Sequence, residues 1–119
     1  MSFMVVDDSS VGRDVIKKAL NLYGYNDVVE AKDGVDALEK LKGLAGVNLF
    51  ILDINMPRTD GLTLLEEIKK IQKDTPVRML TTESDKAKMV RAKELGATGW
   101  IIKPFDAEKL VKVIKMVVQ

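Results

Sequence analysis

A chain of 119 residues suits one compact domain, and its 46% apolar content is enough to bury a core. A net charge of +1 excludes a strong field for nucleic acid or a membrane surface, and no apolar run approaches the length of a bilayer span. The absence of Cys and His excludes disulfides, thiolate chemistry, Ser-His-Asp catalysis, His-ligated zinc and any role as a phosphohistidine donor. The opening MSFMVVDD has no basic stretch leading into a long apolar one, so no signal peptide is expected and the protein is placed in the cytoplasm.

Short β-branched runs alternate with helical patterns. FMVV (3–6) reads as a strand, and Ser9 or Ser10 can cap a helix with Val11, Val15, Ile16, Ala19 and Leu20 facing inward. GYN (24–26) stops it and VVEA (28–31) is a second strand. A helix over 33–44 turns Ala37, Leu38 and Leu41 to one side, and LFIL (49–52) is a third strand. The helix over 62–73 has Leu64, Leu65, Ile68 and Ile71 inward, and Pro76 marks the break before a fourth strand, VRMLT (77–81). A helix over 85–97 ends at Gly96, and GWII (99–102) is the fifth strand. The last helix, 107–118, faces Leu110, Ile114 and Val117 inward. Repeated strand–helix units with near-continuous apolar strands predict a doubly wound α/β fold with a five-stranded parallel sheet and five helices. Residues 1–119 then form a single domain, and the fifth helix leaves no room for an appended output module.

In such a sheet the working crevice lies outside the carboxyl ends of the strands. Asp7 and Asp8 follow the first strand, Asp53 the third, Thr81 ends the fourth and Lys103 follows the fifth. Singly, each has an ordinary reading: DDSS as helix capping, Asp53 with Asn55 and Pro57 as turn chemistry, Thr81 as a residue that fits a pleated strand, Lys103 as a solvated cation. Together they bring three carboxylates, a hydroxyl and an ammonium to one place. Three clustered acids repel one another, and a divalent cation relieves that. Carboxylates and carbonyls without Cys or His select a hard ion, Mg²⁺ first and then Mn²⁺.

The motifs VVDDSS, LDINMPRTDG, LTTES and GWIIKPF, in that order, resemble the receiver domain of two-component response regulators across essentially the whole chain. The wording of DDSSVGR and GWIIKPF is most similar to stand-alone chemotaxis regulators of the CheY type. The resemblance implies the flavodoxin-like strand order 2-1-3-4-5. It implies that Asp53 takes a phosphoryl group from the phosphohistidine of a sensor kinase of the CheA type. Asp7, Asp8, Asp53 and the backbone carbonyl of Asn55 would hold Mg²⁺. Lys103 and Thr81, with the Thr82 amide, would contact the phosphoryl group, and the Lys103–Pro104 bond would be cis. Trp100 would turn inward as Thr81 moves, altering a surface that includes Lys86, Met89, Lys93, Trp100 and Val113. Asn55 and Glu83 would set a short acyl-phosphate lifetime. The implied partners are the kinase and a flagellar motor switch protein or a phosphatase, bound by a monomer, with no nucleic acid or membrane. The chain would catalyse only its own phosphorylation and dephosphorylation.

Some positions depart from the family pattern. Thr59 stands where an apolar residue is usual, Thr82 is larger than the common Ala, Gly or Ser, Trp100 replaces the usual Tyr, and the first strand starts soon after Met1. A phosphorelay shuttle is a second reading of the same chemistry. A metal-dependent aspartyl phosphatase is more remote, because those enzymes carry two acids flanking one residue after the first strand, whereas Asp7 and Asp8 are adjacent. A scaffold with a dead site is disfavoured because every expected site residue is present.

Overall fold

Every second side chain of a strand faces the same way, and here both faces are apolar, so both must be covered. In the computed structural model, which describes residues 2–44, 46–56, 60–82, 85–103 and 105–117, five strands do this: β1 (Ser2–Val6), β2 (Asp27–Ala31), β3 (Leu49–Asp53), β4 (Val77–Thr81) and β5 (Gly99–Ile102). All pairings are parallel and the order is β2-β1-β3-β4-β5, as the family resemblance implies. Five helices alternate with them: α1 (Ser10–Leu22), α2 (Gly34–Leu41), α3 (Gly61–Ile71), α4 (Lys86–Glu94) and α5 (Ala107–Val117). Phe3, Val5, Leu49 and Ile51 meet Ile16 and Leu20 of α1 and Leu110 and Ile114 of α5 on one face. Met4, Val6, Phe50 and Leu52 meet Leu41 of α2, Leu64, Leu65 and Ile68 of α3 and Ala92 of α4 on the other. Fully burying one such side chain is worth roughly 1.5–3 kcal/mol, so the central strands dominate stability. No helix among the described residues is long and apolar enough to cross a membrane.

Two predicted faces are corrected. Val11 and Val15 are 72% and 51% exposed rather than inward. The rotation of α1 explains this: Gly12 sits against Asp7, where a Cβ would stand 2.8 Å from the Asp7 Oδ2, so the stripe from Gly12 through Ile16 to Leu20 faces the sheet and the two valines flank it. Ile71 is 59% exposed, because it lies at the very end of α3 and α2 has already stopped at Leu41. The helices expected over 33–44 and 85–97 are also shorter. The second starts after Asp33, whose carboxylate caps it, and the fourth closes in a Schellman turn with Gly96 at φ 103°, Ala97 N donating to Ala92 O and Gly96 N to Lys93 O. Asp53 is the last residue of β3 rather than the first beyond it. Thr59, Glu83, Pro104 and the side chain of Val117 lie outside the described residues.

Candidate functional site

The chain runs from β1 outward to β2, then back across to β3, so β1 and β3 are neighbours whose following segments leave in opposite directions. Their carboxyl ends therefore flank an open crevice. Asp7 continues β1, its amide donating to Ala31 O at 3.1 Å, and Asp53 ends β3 with all five strand residues buried. Asp7 and Asp53 are themselves buried and Asp8 is exposed. One carboxylate oxygen from each of the three lies within 4.8 Å of the others. Lys103, aligned by its amide donating to Thr81 O at 2.7 Å, reaches back into the cluster. Its Nζ stands 3.3 Å from Asp53 Oδ2 and 3.8 Å from Asp7 Oδ2.

Local contacts hold the acids still. The Ser9 amide donates to Asp7 Oδ1 at 3.0 Å, and the Asn55 amide donates to Asp53 Oδ1 at 3.1 Å. Arg13 Nη1 donates to the carbonyl of Asp7 at 2.6 Å, and its Nε lies 3.4 Å from Glu30 Oε1. Gly61 lets α3 begin directly against β3, since a Cβ there would collide with the carbonyl oxygen of Asp53. Burial pushes the Asp7 carboxyl above its ordinary 3.8; the Ser9 amide opposes this, Asp53 repulsion adds to it and Lys103 offsets part of it. A divalent cation suits this cluster: the donors are all oxygens brought close together, and the buried acid is destabilised as an anion.

The β4 side is arranged differently. Thr81 is buried, and its hydroxyl lies 3.1 Å from Asp85 Oδ2 and 3.2 Å from the Thr82 carbonyl that it can also donate to. The same Asp85 oxygen accepts from the Thr82 amide at 3.3 Å, the Thr82 hydroxyl at 3.0 Å and Asn55 Nδ2 at 2.9 Å. These donors, the Thr82 hydroxyl first, hold the Asp85 carboxyl below its ordinary range. Lys88 Nζ donates to Asn55 Oδ1 at 2.6 Å. Trp100, half-buried and paired in register with Met79, borders a groove of about 710 Å³ shared with Lys103, Phe105, Lys112 and Val113. Lys86 and Lys93 are exposed on α4 and Met89 is half-buried.

The sequence-predicted Asp7, Asp8, Asp53 and Lys103 thus meet, with Asn55, Thr81 and Thr82 beside them. Arg13, Gly12, Gly61, Asp85 and Lys88 were not singled out from the sequence as site residues. The glycines stand where helices touch the acids, and Arg13 follows Asp7 by one turn into α1, but Asp85 and Lys88 carry no signal beyond that of a helix start.

Residues 3–115 match the family model described as the response regulator receiver domain. The chain belongs to this receiver family. It is 40% identical to the chemotaxis protein CheY1 of Helicobacter pylori, with 98% of this chain and 96% of that protein covered. The structure of chemotaxis protein CheY4 of Vibrio cholerae is similar at a TM-score of 0.90 and 36% identity, covering 98% of this receiver and 97% of that chain. The receiver domain of NtrX from Brucella abortus is also similar, with a TM-score of 0.90, 34% identity and coverage of 98% of both chains. The chain is a CheY-type receiver by sequence and fold, and its fold is shared with receivers of other names.

Proposed function

We propose that residues 1–119 work as one receiver unit in which Asp53 is the phosphoacceptor of a two-component pathway. The observation that carries this reading is the convergence of Asp7, Asp8 and Asp53 within 4.8 Å, with Lys103 Nζ 3.3 Å from Asp53, at the strand ends of a receiver-family chain. An Asp53 carboxylate oxygen attacks the phosphorus of a phosphohistidine on the kinase. The O–P bond forms as the P–N bond breaks, and the imidazole leaves with a proton from solvent. Positioning does most of the work in such a transfer. Asp7, Asp8, Asp53 and the Asn55 carbonyl would hold Mg²⁺, which supplies neutralisation of the carboxylates and phosphoryl oxygens. Lys103 pairs with a phosphoryl oxygen as a point charge, and the Thr81 hydroxyl and Thr82 amide donate to another. Asn55 and Glu83 set how readily water attacks the acyl phosphate.

The donor histidine needs a landing surface. A groove of about 280 Å³ lined by Asp7, Ser9, Gly12, Val15, Ile16, Lys103 and Phe105 shares Asp7 and Lys103 with the acid cluster, and exposed Val15 gives it an apolar wall. We assign the kinase, of the CheA type, to this face. Output passes through Lys86, Met89, Lys93, Trp100 and Val113 to a flagellar motor switch protein, with Thr81 and Trp100 as the moving pair. The receiver acts as a cytoplasmic monomer, and the likeness to chemotaxis proteins at 40% identity favours that pathway. A non-chemotaxis output remains the second reading, because the NtrX receiver matches the fold equally well.

The test is intact mass after incubation with acetyl phosphate and Mg²⁺. A labile gain of one phosphoryl group, absent with EDTA and in Asp53→Asn, is expected. No gain in a folded protein, repeated with a phosphorylated kinase domain as donor, overturns the reading.

A further inference from the structure

Asp85 stands at the start of α4, where an acid ordinarily caps the helix. It does not do so here. Ser9, Asp33 and Asp60 precede α1, α2 and α3 with extended backbones, and each side chain accepts from an amide three residues on. Asp106 does the same for Lys109 N at the start of α5. Asp85 has φ −94° and ψ 32°, and its side chain makes no cap hydrogen bond. Its carboxylate is turned back over the site instead. One oxygen, Oδ2, collects the Thr81 hydroxyl, the Thr82 amide, the Thr82 hydroxyl and the Asn55 carboxamide.

We propose that Asp85 is a latch for the unphosphorylated state: its carboxylate holds the Thr81 hydroxyl and Thr82 amide that a phosphoryl group on Asp53 must take. The proposal rests on the phosphoacceptor reading above. A single anionic oxygen satisfied by these donors has the chemistry of a phosphoryl oxygen, but it belongs to α4. While it is bound, Thr81 is tied to the first residue before that helix. When a phosphoryl oxygen captures the hydroxyl, Asp85 loses a donor and faces a neighbouring dianion. Both effects push it out of the site, and the start of α4 goes with it. Lys88 strengthens the coupling, because it holds the other end of Asn55 from the first turn of the same helix. Asp85 is therefore a positioning residue that opposes activation.

The latch is tested with beryllofluoride and Mg²⁺, titrated calorimetrically into the intact protein and its variants. Removing the competitor in Asp85→Ala is expected to tighten binding about threefold to tenfold, the range for the net worth of one ordinary hydrogen bond. Asp85→Asn, which keeps an acceptor without the charge, is expected to fall between the two. No cap bond is lost, but the contacts to Thr81, Thr82 and Asn55 are, so the melting temperature without ligand should fall somewhat, and binding is compared at a temperature where every variant is folded. The decisive arm is the pair with Thr81→Ala: if Asp85 acts through the Thr81 hydroxyl, Asp85→Ala brings little further gain in that background. A gain of the same size in both backgrounds overturns the latch in favour of a general charge effect, and equal or weaker binding by Asp85→Ala alone overturns it outright. Parent protein that binds no beryllofluoride and takes no phosphoryl group overturns the phosphoacceptor reading itself, a result separable from a failed latch in a protein that binds.

Discussion

Helices α3 and α4 cover the same face of the sheet, and each follows a strand that ends at the site, yet they are attached in opposite ways. α3 buries Gly61, Leu64, Leu65 and Ile68, is capped by Asp60, and starts against the backbone of Asp53. α4 buries only Ala92, and the acid at its start is engaged with Thr81, Thr82 and Asn55 rather than with its own amides. The nucleophile's strand is thus locked to a packed helix, while the strand of Thr81 is joined to a helix held mainly by polar contacts. Regions with few buried apolar contacts open at low free energy. The site therefore has a rigid wall that positions charge and a movable wall that can report on it.

The sharpest way to break this contrast is to loosen the rigid wall. Leu64→Ala removes a fully buried side chain and is expected to cost about 2–5 kcal/mol in urea unfolding. Gly61→Ala should cost roughly 1–3 kcal/mol through forced backbone movement, and it should also slow phosphorylation, because the atom it displaces is the carbonyl of Asp53 itself. If Gly61→Ala leaves both stability and phosphorylation unchanged, the wall is not rigid where the nucleophile is held.

A smaller effect comes from charge within that wall. The Asp7 carboxyl lies above its ordinary 3.8 chiefly because burial disfavours the anion. The folded chain then holds this proton more tightly than the unfolded chain does, so the favourable contribution is present below 3.8 and is lost as pH rises through the raised value. At neutral pH without metal, ionised Asp7 is a net cost. Asp7→Asn, which keeps an acceptor for the Ser9 amide, is expected to melt at a higher temperature than the parent at pH 7 in EDTA. The gap should close as pH falls toward 4. Asp36 runs the other way, its carboxyl lowered first by the Lys32 amide, so its contribution is lost on acidification; comparing parent with variant cancels it. Added Mg²⁺ should stabilise the parent more than the variant, by mass action on the folded state. Equal stabilisation of both would remove Asp7 from the ion's ligands.

These two walls were unequally legible. The apolar strand runs, and the acid, hydroxyl and lysine at their ends, could be read directly, because in a parallel sheet the order of strand ends in the chain tells which residues share a crevice. Helix faces were less legible. Periodicity shows that α1 has an apolar stripe but not which edge meets the sheet, and the contact between Gly12 and Asp7 that settles it is tertiary, leaving Val11 and Val15 outside. Asp85 was the least legible. A polar acid before a helix reads as a cap, and only the meeting of β3, β4 and α4 shows that its carboxylate has other partners.

The smallest expected effect bears on the movable wall. Val90 is 60% exposed on α4, and Val90→Ser therefore removes little packing and leaves helix propensity about the same. Its cost in urea unfolding should stay within about 0.5 kcal/mol, as for surface substitutions generally. Amide exchange along α4 should also be faster than along α3, in the parent and in the variant alike. The two measurements constrain each other. A cost well above 1 kcal/mol would mean that α4 packs in solution against more than Ala92, and its amides should then be as protected as those of α3. A negligible cost with slow exchange would locate the grip elsewhere, in the polar contacts of Asp85 and Lys88, and Asp85→Ala should then speed exchange in the first turn of α4 while leaving α3 untouched.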